Sequence, residues 1–202
     1  MGRGSSGGGA FAGKGDSSYR GEIKNIESLK SIKDKKLYNE LKAAISRYHS
    51  ELGIPQKEIK LATLQDAYGV HVTENGKSKA IYLNKSLYKK GTVQSITEQK
   101  KNDYASGWAT KTNKPVAHTL THELAHATWN SHLSSPNAKA AGKEIKYLYK
   151  KWSGDKRKSG YGKYSKTNVN EFWAETVTKA IHGKSDKYTN AAKKIIKQFK
   201  LY

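Results

Sequence analysis

The chain has 202 residues, with 38 lysines and arginines against 17 acids and a formal charge of +21. It has no cysteine, which excludes disulfides and thiolate metal sites, and no apolar run near the roughly 18 residues that cross a bilayer. A field of this sign attracts nucleic acid, anionic lipid or acidic protein, although the charge is spread along the chain and is nearly all lysine, as on a solvated surface.

Residues 1–18 are rich in glycine and serine, can bury nothing, and are expected to form a disordered arm ahead of one domain over 19–202. MGRGSSGGGAFAGKG lacks the apolar middle of a secretory signal, so a cytoplasmic chain is expected. Met1-Gly2 with Ser6 formally matches a myristoylation pattern, a match that a Gly/Ser-rich segment reaches cheaply.

Ile23, Ile26, Leu29 and Ile32 recur every three residues and suggest a first helical stretch. Leu37, Leu41, Ala44, Ile45 and Tyr48 define an amphipathic helix, stopped by Gly53 and Pro55. The period then changes. KEIKLATL, GVHVTE and KAIYLN read as strands of a small, mostly antiparallel sheet over 57–84, with Asn75-Gly76 as a type I′ hairpin turn. KAIYLN is the expected sheet edge. TVQSITEQKKNDYA is helical or irregular, and SGWATKTNKP a loop. Helices are predicted over about 116–131, from Ser135-Pro136 to about Trp152, over about 169–182, and over about 187–200 with Ala191, Ile195, Ile196 and Phe199 on one face. No internal repeat is visible.

The first of these four helices carries chemistry. In THELAHATWNSH, His122 and His126 are four apart and share a helix face, so both imidazoles can meet one metal ion. Glu123 is rotated about 100° from His122 and can reach a water on that ion. Two nitrogen ligands and a general base are the mechanical content of H-E-x-x-H. The bland alternative is a structural helix with exposed histidines, but two histidines and a glutamate on adjoining faces of an apolar helix require partners. His118, one turn earlier, either supports the site or is simply polar and exposed at the helix start. Trp108 either lines the cleft or packs elsewhere. His49, His71 and His182 have no partner in the sequence and receive no role.

Two segments compete to supply the third ligand. His132 stands where the metzincin pattern H-E-x-x-H-x-x-G-x-x-H has its last histidine, but Trp129 occupies the glycine position and the only methionine is Met1, so the pattern's Met-turn is impossible. NVNEFWAETVTKAIHG instead places Glu171 and Glu175 on one helix face, and a carboxylate from a second helix completes a His₂Glu site.

THELAHATW together with YSKTNVNEFWAE resembles the gluzincin-type catalytic domain of anthrax lethal factor and related toxin and phage-encoded peptidases, over about residues 118–182. The resemblance implies a zinc-dependent endopeptidase with an α+β zincin fold. It implies Glu171 as the third zinc ligand beside His122 and His126, Glu123 as general base, and Glu175 as the group orienting a ligand histidine. It also matches Tyr164 to a tyrosine facing the substrate, with Tyr161 as a competitor. A phenol so placed can donate to an oxyanion. The basic segment KKWSGDKRKSGYGKY is expected to act as a lid or to favour acidic residues in a protein or peptide substrate. Two other readings stay open: a nucleic-acid-associated protein using the basic surface, and a phage-type structural or morphogenesis protein that keeps the fold as scaffold.

Overall fold

Three-residue spacing is the period of a 3-10 helix, and Ile26, Leu29 and Ile32 are buried around a 3-10 turn at Glu27–Ser31 rather than along an α-helix. Residues 26–52, 58–74, 77–130 and 135–201 of the computed structural model are described. The expected arm at 1–18, Ile23, Gly53, Pro55, the Asn75-Gly76 turn and His132 lie outside them.

Helix α1 spans Lys35–Leu52 and buries Leu37, Leu41, Ala44, Ile45 and Tyr48 on the predicted stripe. Asp34 caps its start, accepting from the Lys36 and Leu37 N–H groups at 2.8 and 3.2 Å. Strands β1 (Glu58–Ala62), β2 (Gly69–Glu74) and β3 (Lys77–Asn84) follow. Their order is β1-β3-β2, with β1 parallel and β2 antiparallel to β3. The sheet is therefore mixed, and KAIYLN is its central strand, not an edge. Ala80, Ile81 and Leu83 are fully buried, so both faces of β3 are covered. A run buried on both faces is near-continuously apolar, whereas an edge would alternate more clearly. The edge nearest the histidine motif is β2.

After a one-turn α2 (Lys85–Tyr88), TVQSITEQKKNDYA forms a true helix, α3 (Val93–Ala105), started by a Thr92/Ser95 capping box. Helix α4 spans Pro115–Asn130, α5 Pro136–Gly154, α6 Val169–His182 and α7 Lys187–Phe199. These agree closely with the predicted spans. Serine at the N-cap with proline at N1 starts α5, and Asn168 caps α6 through the Asn170 and Glu171 N–H groups. The result is an α+β fold, mostly helical, on a small three-stranded sheet. None of the described helices is long and apolar enough to cross a membrane.

Two of these helices differ from ordinary amphipathic ones. Every residue from Val116 to Trp129 in α4 and from Glu171 to His182 in α6 is buried. A helix covered on all sides has no solvent face on which to leave polar groups, so its histidines and acids must satisfy one another. Helix α4 lies against β2 and β3 on one side and α6 on the other. The Trp173 indole N–H donates to the Ala125 carbonyl at 3.2 Å, and Trp129 meets Trp173 edge-on at 6.3 Å. The motif THELAHATW and the motif EFWAE are thereby packed face to face.

Candidate metal centre

His122 and His126 project from α4 at consecutive turns, and Glu171 from the first turn of α6 meets them. The Nε2 atoms of His122 and His126 are 3.0 Å apart, and Glu171 Oε2 lies 3.0 Å from the first and 3.3 Å from the second. All three side chains are buried. The other Glu171 oxygen, Oε1, is buried with no hydrogen-bond partner among the described residues. Three ligand atoms converging on one point beside an unsatisfied carboxylate oxygen form a group that could hold a metal ion.

Glu175, one turn further along α6, sits behind His122. Its Oε1 accepts from His122 Nδ1–H at 2.9 Å and His118 Nε2–H at 3.1 Å, and its Oε2 accepts from the Thr110 N–H at 2.6 Å. A carboxylate only accepts, so these contacts fix the proton of His122 on Nδ1 and turn the Nε2 lone pair toward His126 and Glu171. His118, Glu175 and His122 also meet the distance criterion for a metal group. Both oxygens of Glu175 already accept from donors, however, whereas Glu171 Oε1 has no partner among the described residues. His118 is thus not an exposed polar residue at a helix start. It is buried, and the Tyr104 hydroxyl, 3.3 Å from its Nδ1, closes the far end of the chain.

Burial disfavours charge on His122, but the hydrogen bonds and charges of Glu171 and Glu175 outweigh it and raise its pKa to about 10. Burial likewise opposes charge on Glu171 and Glu175, and the neighbouring histidines hold both carboxyls below the usual carboxylate range. In the ion-free chain a proton on His122 therefore stands between two carboxylates. A divalent cation at Nε2 must displace it. Cation affinity is expected to rise up to about tenfold per pH unit through the neutral range and to level off as pH approaches the His122 value. Competition titration with a metallochromic indicator at several pH values measures this; a flat profile rules it out.

Glu123 reaches toward β2 and stays within electrostatic range of His122, His126 and Glu171. It is buried, and the backbone N–H of His71 in β2 donates to its carboxylate. Burial pushes its carboxyl above the ordinary value, while His122 and His126 pull the other way. Gly69 makes this approach possible, because a Cβ there would lie 2.9 Å from Thr119 and 3.1 Å from Glu123.

A cleft opens beside this group, lined by His122, Glu123, Tyr164, Trp108, Tyr68 and Lys100. The Tyr164 ring stacks on His122 at 5.6 Å and 23°, and on its other flank meets Trp108 at 5.3 Å. Tyr164 rides on a 3-10 turn, Lys163–Lys166, held by its N–H to the Trp108 carbonyl at 2.9 Å. Gly162 allows that contact, since any Cβ would fall 2.3 Å from the Ala109 and Trp108 backbone. Tyr161 is elsewhere, packed on Trp152 and Phe172 with the Lys179 ammonium over its ring. The basic segment before Tyr161 is tied down: the Lys158 ammonium donates to the Ser153 and Asp155 carbonyls, and Lys179 donates to Ser159 O.

His182, Thr110, Tyr104 and Lys100 were invisible in the sequence as parts of this region. His182 Nε2 meets Thr121 Oγ1 at 2.9 Å and ties α6 to α4, while burial lowers its pKa to about 4. Thr110 acts through a backbone N–H, which leaves no residue-type signature. Tyr104 is one of 13 tyrosines. Lys100 is buried against Asp103, 3.1 Å away, and over the Tyr68 ring, and in the sequence nothing distinguishes it from its neighbour Lys101.

No family model, curated protein or solved structure matches the chain.

Proposed function

We propose that the protein is a zinc-dependent endopeptidase of the gluzincin type, with a zincin-like fold. The observation that carries this is the convergence of His122 Nε2, His126 Nε2 and Glu171 Oε2 within 3.0–3.3 Å of one another, beside the buried Glu123. Nitrogen and oxygen ligands at about 2.0–2.1 Å from a tetrahedral zinc lie about 3.3 Å apart. Two imidazoles and one carboxylate also match the donor set of catalytic zinc, which leaves one position open.

His122, His126 and Glu171 hold the ion, and Glu175 and His118 hold His122 in the tautomer that can bind it. When bound, zinc supplies a Lewis acid that lowers the pKa of a water toward about 7 and polarises a carbonyl. Glu123 takes the proton from the attacking water as its oxygen bonds to the carbonyl carbon. It then delivers that proton to the amide nitrogen as the C–N bond breaks, so a carboxylic acid and an amine leave. A carboxyl raised by burial is suited to both steps. Tyr164, stacked on His122 at the cleft, is the donor best placed for the oxyanion.

An extended substrate has a strand to lie along. β2 pairs with β3 on one side and with no strand on the other among the described residues. The Tyr68 carbonyl faces β3, accepting from the Asn84 N–H. By alternation Gly69 and His71 turn their backbone groups away from β3, and the His71 N–H is the one that holds Glu123 at this edge. Lys163 and Lys166, exposed on either side of Tyr164, favour acidic residues nearby. The test is incubation of the zinc-loaded protein with a mixed peptide library, read by mass spectrometry. Cleavage that chelation stops and zinc restores is expected; no cleavage of any peptide by fully zinc-loaded protein would refute the proposal and favour a scaffold role.

A further inference from the structure

The positive charge is not evenly distributed on the folded chain. Residues 135–201 carry 17 lysines and arginines against five acids, and two of those acids, Glu171 and Glu175, are buried in the centre just described. Residues 26–134 carry 17 against ten. The C-terminal third therefore holds most of the excess that reaches solvent.

Within that third, one helix orders its lysines. Lys139, Lys143, Lys146 and Lys150 of α5 are all exposed. At about 100° per residue they fall within an arc of about 60°, and at about 1.5 Å per residue they span about 16 Å. They form a straight row opposite the buried Ala141, Ile145, Leu148 and Trp152. None of the ion pairs among the described residues uses any of the four. Glu144, the one acid of α5, lies about 100° off Lys143 and outside the row. Beside the row stands Tyr147, the one exposed large hydrophobic side chain among the described residues, at 55%. The Lys151 ammonium lies 4.5 Å over its ring. Lysine rows on a helix are ordinarily solvated, and a single exposed ring is ordinary too; what sets this face apart is the ring standing next to four lysines that no described ion pair uses.

We infer that the outer face of α5 binds single-stranded nucleic acid, with the lysine row along the phosphates and Tyr147 stacked on a base. Unpaired lysines act as point charges toward phosphate and carry no sequence preference. An exposed ring flanked by cations is the platform on which an unpaired base stacks. An anionic membrane would use the same charges but would also want apolar side chains to insert, and this face offers only one ring, itself capped by Lys151. The inference is independent of the peptidase chemistry, since no residue of the row touches the metal centre.

The test is a fluorescence-anisotropy titration of the full chain with a labelled oligothymidylate of about 20 nucleotides, longer than a site of about 4–16, over about 50–200 mM salt. Replacing Lys139, Lys143, Lys146 and Lys150 with glutamine should flatten the log K against log salt slope by about 3, at about 0.7 per phosphate contact. Tyr147→Ala should weaken binding at least about fivefold at every salt concentration and leave the slope unchanged. Glutamine at Lys35, Lys36, Lys42 and Lys101, an equal change of net charge on exposed positions elsewhere, should leave the slope nearly intact. Lysine and glutamine have similar helix propensity, so all variants should keep their circular dichroism. Equal loss from both sets, an unchanged slope in the α5 set, an unchanged affinity in Tyr147→Ala, or binding to phosphatidylserine vesicles but not to the oligonucleotide would each overturn the inference.

Discussion

Glu171→Ala is expected to abolish stoichiometric zinc binding. The carboxylate is the only ligand contributed by α6, and its Oε2 is within 3.3 Å of both histidine nitrogens. Four-ligand zinc sites give an apparent 10–16 kcal/mol, so losing one ligand should weaken binding on the order of 10²–10³-fold. The result can be read without any substrate. Zinc at about a hundred times its Kd should stabilise the wild-type chain by about 2.7 kcal/mol. For a chain of this size that raises the midpoint by about 5–10 °C, and the variant should lose this shift at the same zinc concentration. Glu175→Gln should retain the ion with affinity reduced by roughly 10–100-fold, as for other groups that orient a ligand histidine. His132→Ala should bind as the wild type does. Zinc lost from His132→Ala and kept by Glu171→Ala would reverse the ligand assignment.

That assignment shows how much of the centre is legible in the chain. Spacing alone put His122 and His126 on one face, because the helical repeat is fixed by backbone geometry. Trp129 argued against a metzincin turn, and α4 does continue helically through Asn130. Local spacing has nothing to say about how two distant helices meet. The resemblance of EFWAE supplied that link, and the physical cause is packing: Trp173 and Trp129 dock α6 on α4 and bring Glu171 and Glu175 to the two nitrogens of one imidazole. The backbone donors are the least legible part. Neither the Thr110 N–H on Glu175 nor the His71 N–H on Glu123 depends on its own side chain.

The sheet carries the same lesson in reverse. Its three strands were visible as short apolar runs. Strand order was not visible. KAIYLN looked like an edge, yet β1 crosses to pair parallel with it and leaves β2 outside. The correction matters for the proposed function, because β2 is the strand whose Gly69 and His71 lie against Glu123, the proposed general base. Glycine at 69 is a packing requirement: a side chain there would displace Glu123 or Thr119.

Glu123→Gln separates chemistry from binding. The side chain is not among the three converging ligand atoms, and glutamine keeps its shape and can still accept from the His71 N–H. Zinc content and the zinc-dependent shift in midpoint should therefore be preserved. Folding should not suffer either, because a neutral amide costs less to bury than a carboxylate. Hydrolysis, by contrast, loses the group that takes a proton from water and returns it to the amine. Proton transfer by a positioned base contributes typically 10²–10⁴-fold, and kcat is expected to fall by about that factor with KM little changed, since the amide leaves the β2 edge and Tyr164 in place. The assay is peptide hydrolysis by zinc-loaded wild type and variant side by side. A variant that keeps both zinc and full turnover would remove Glu123 from the mechanism, and one that keeps zinc and its biological activity while cleaving nothing would mark the fold as a scaffold.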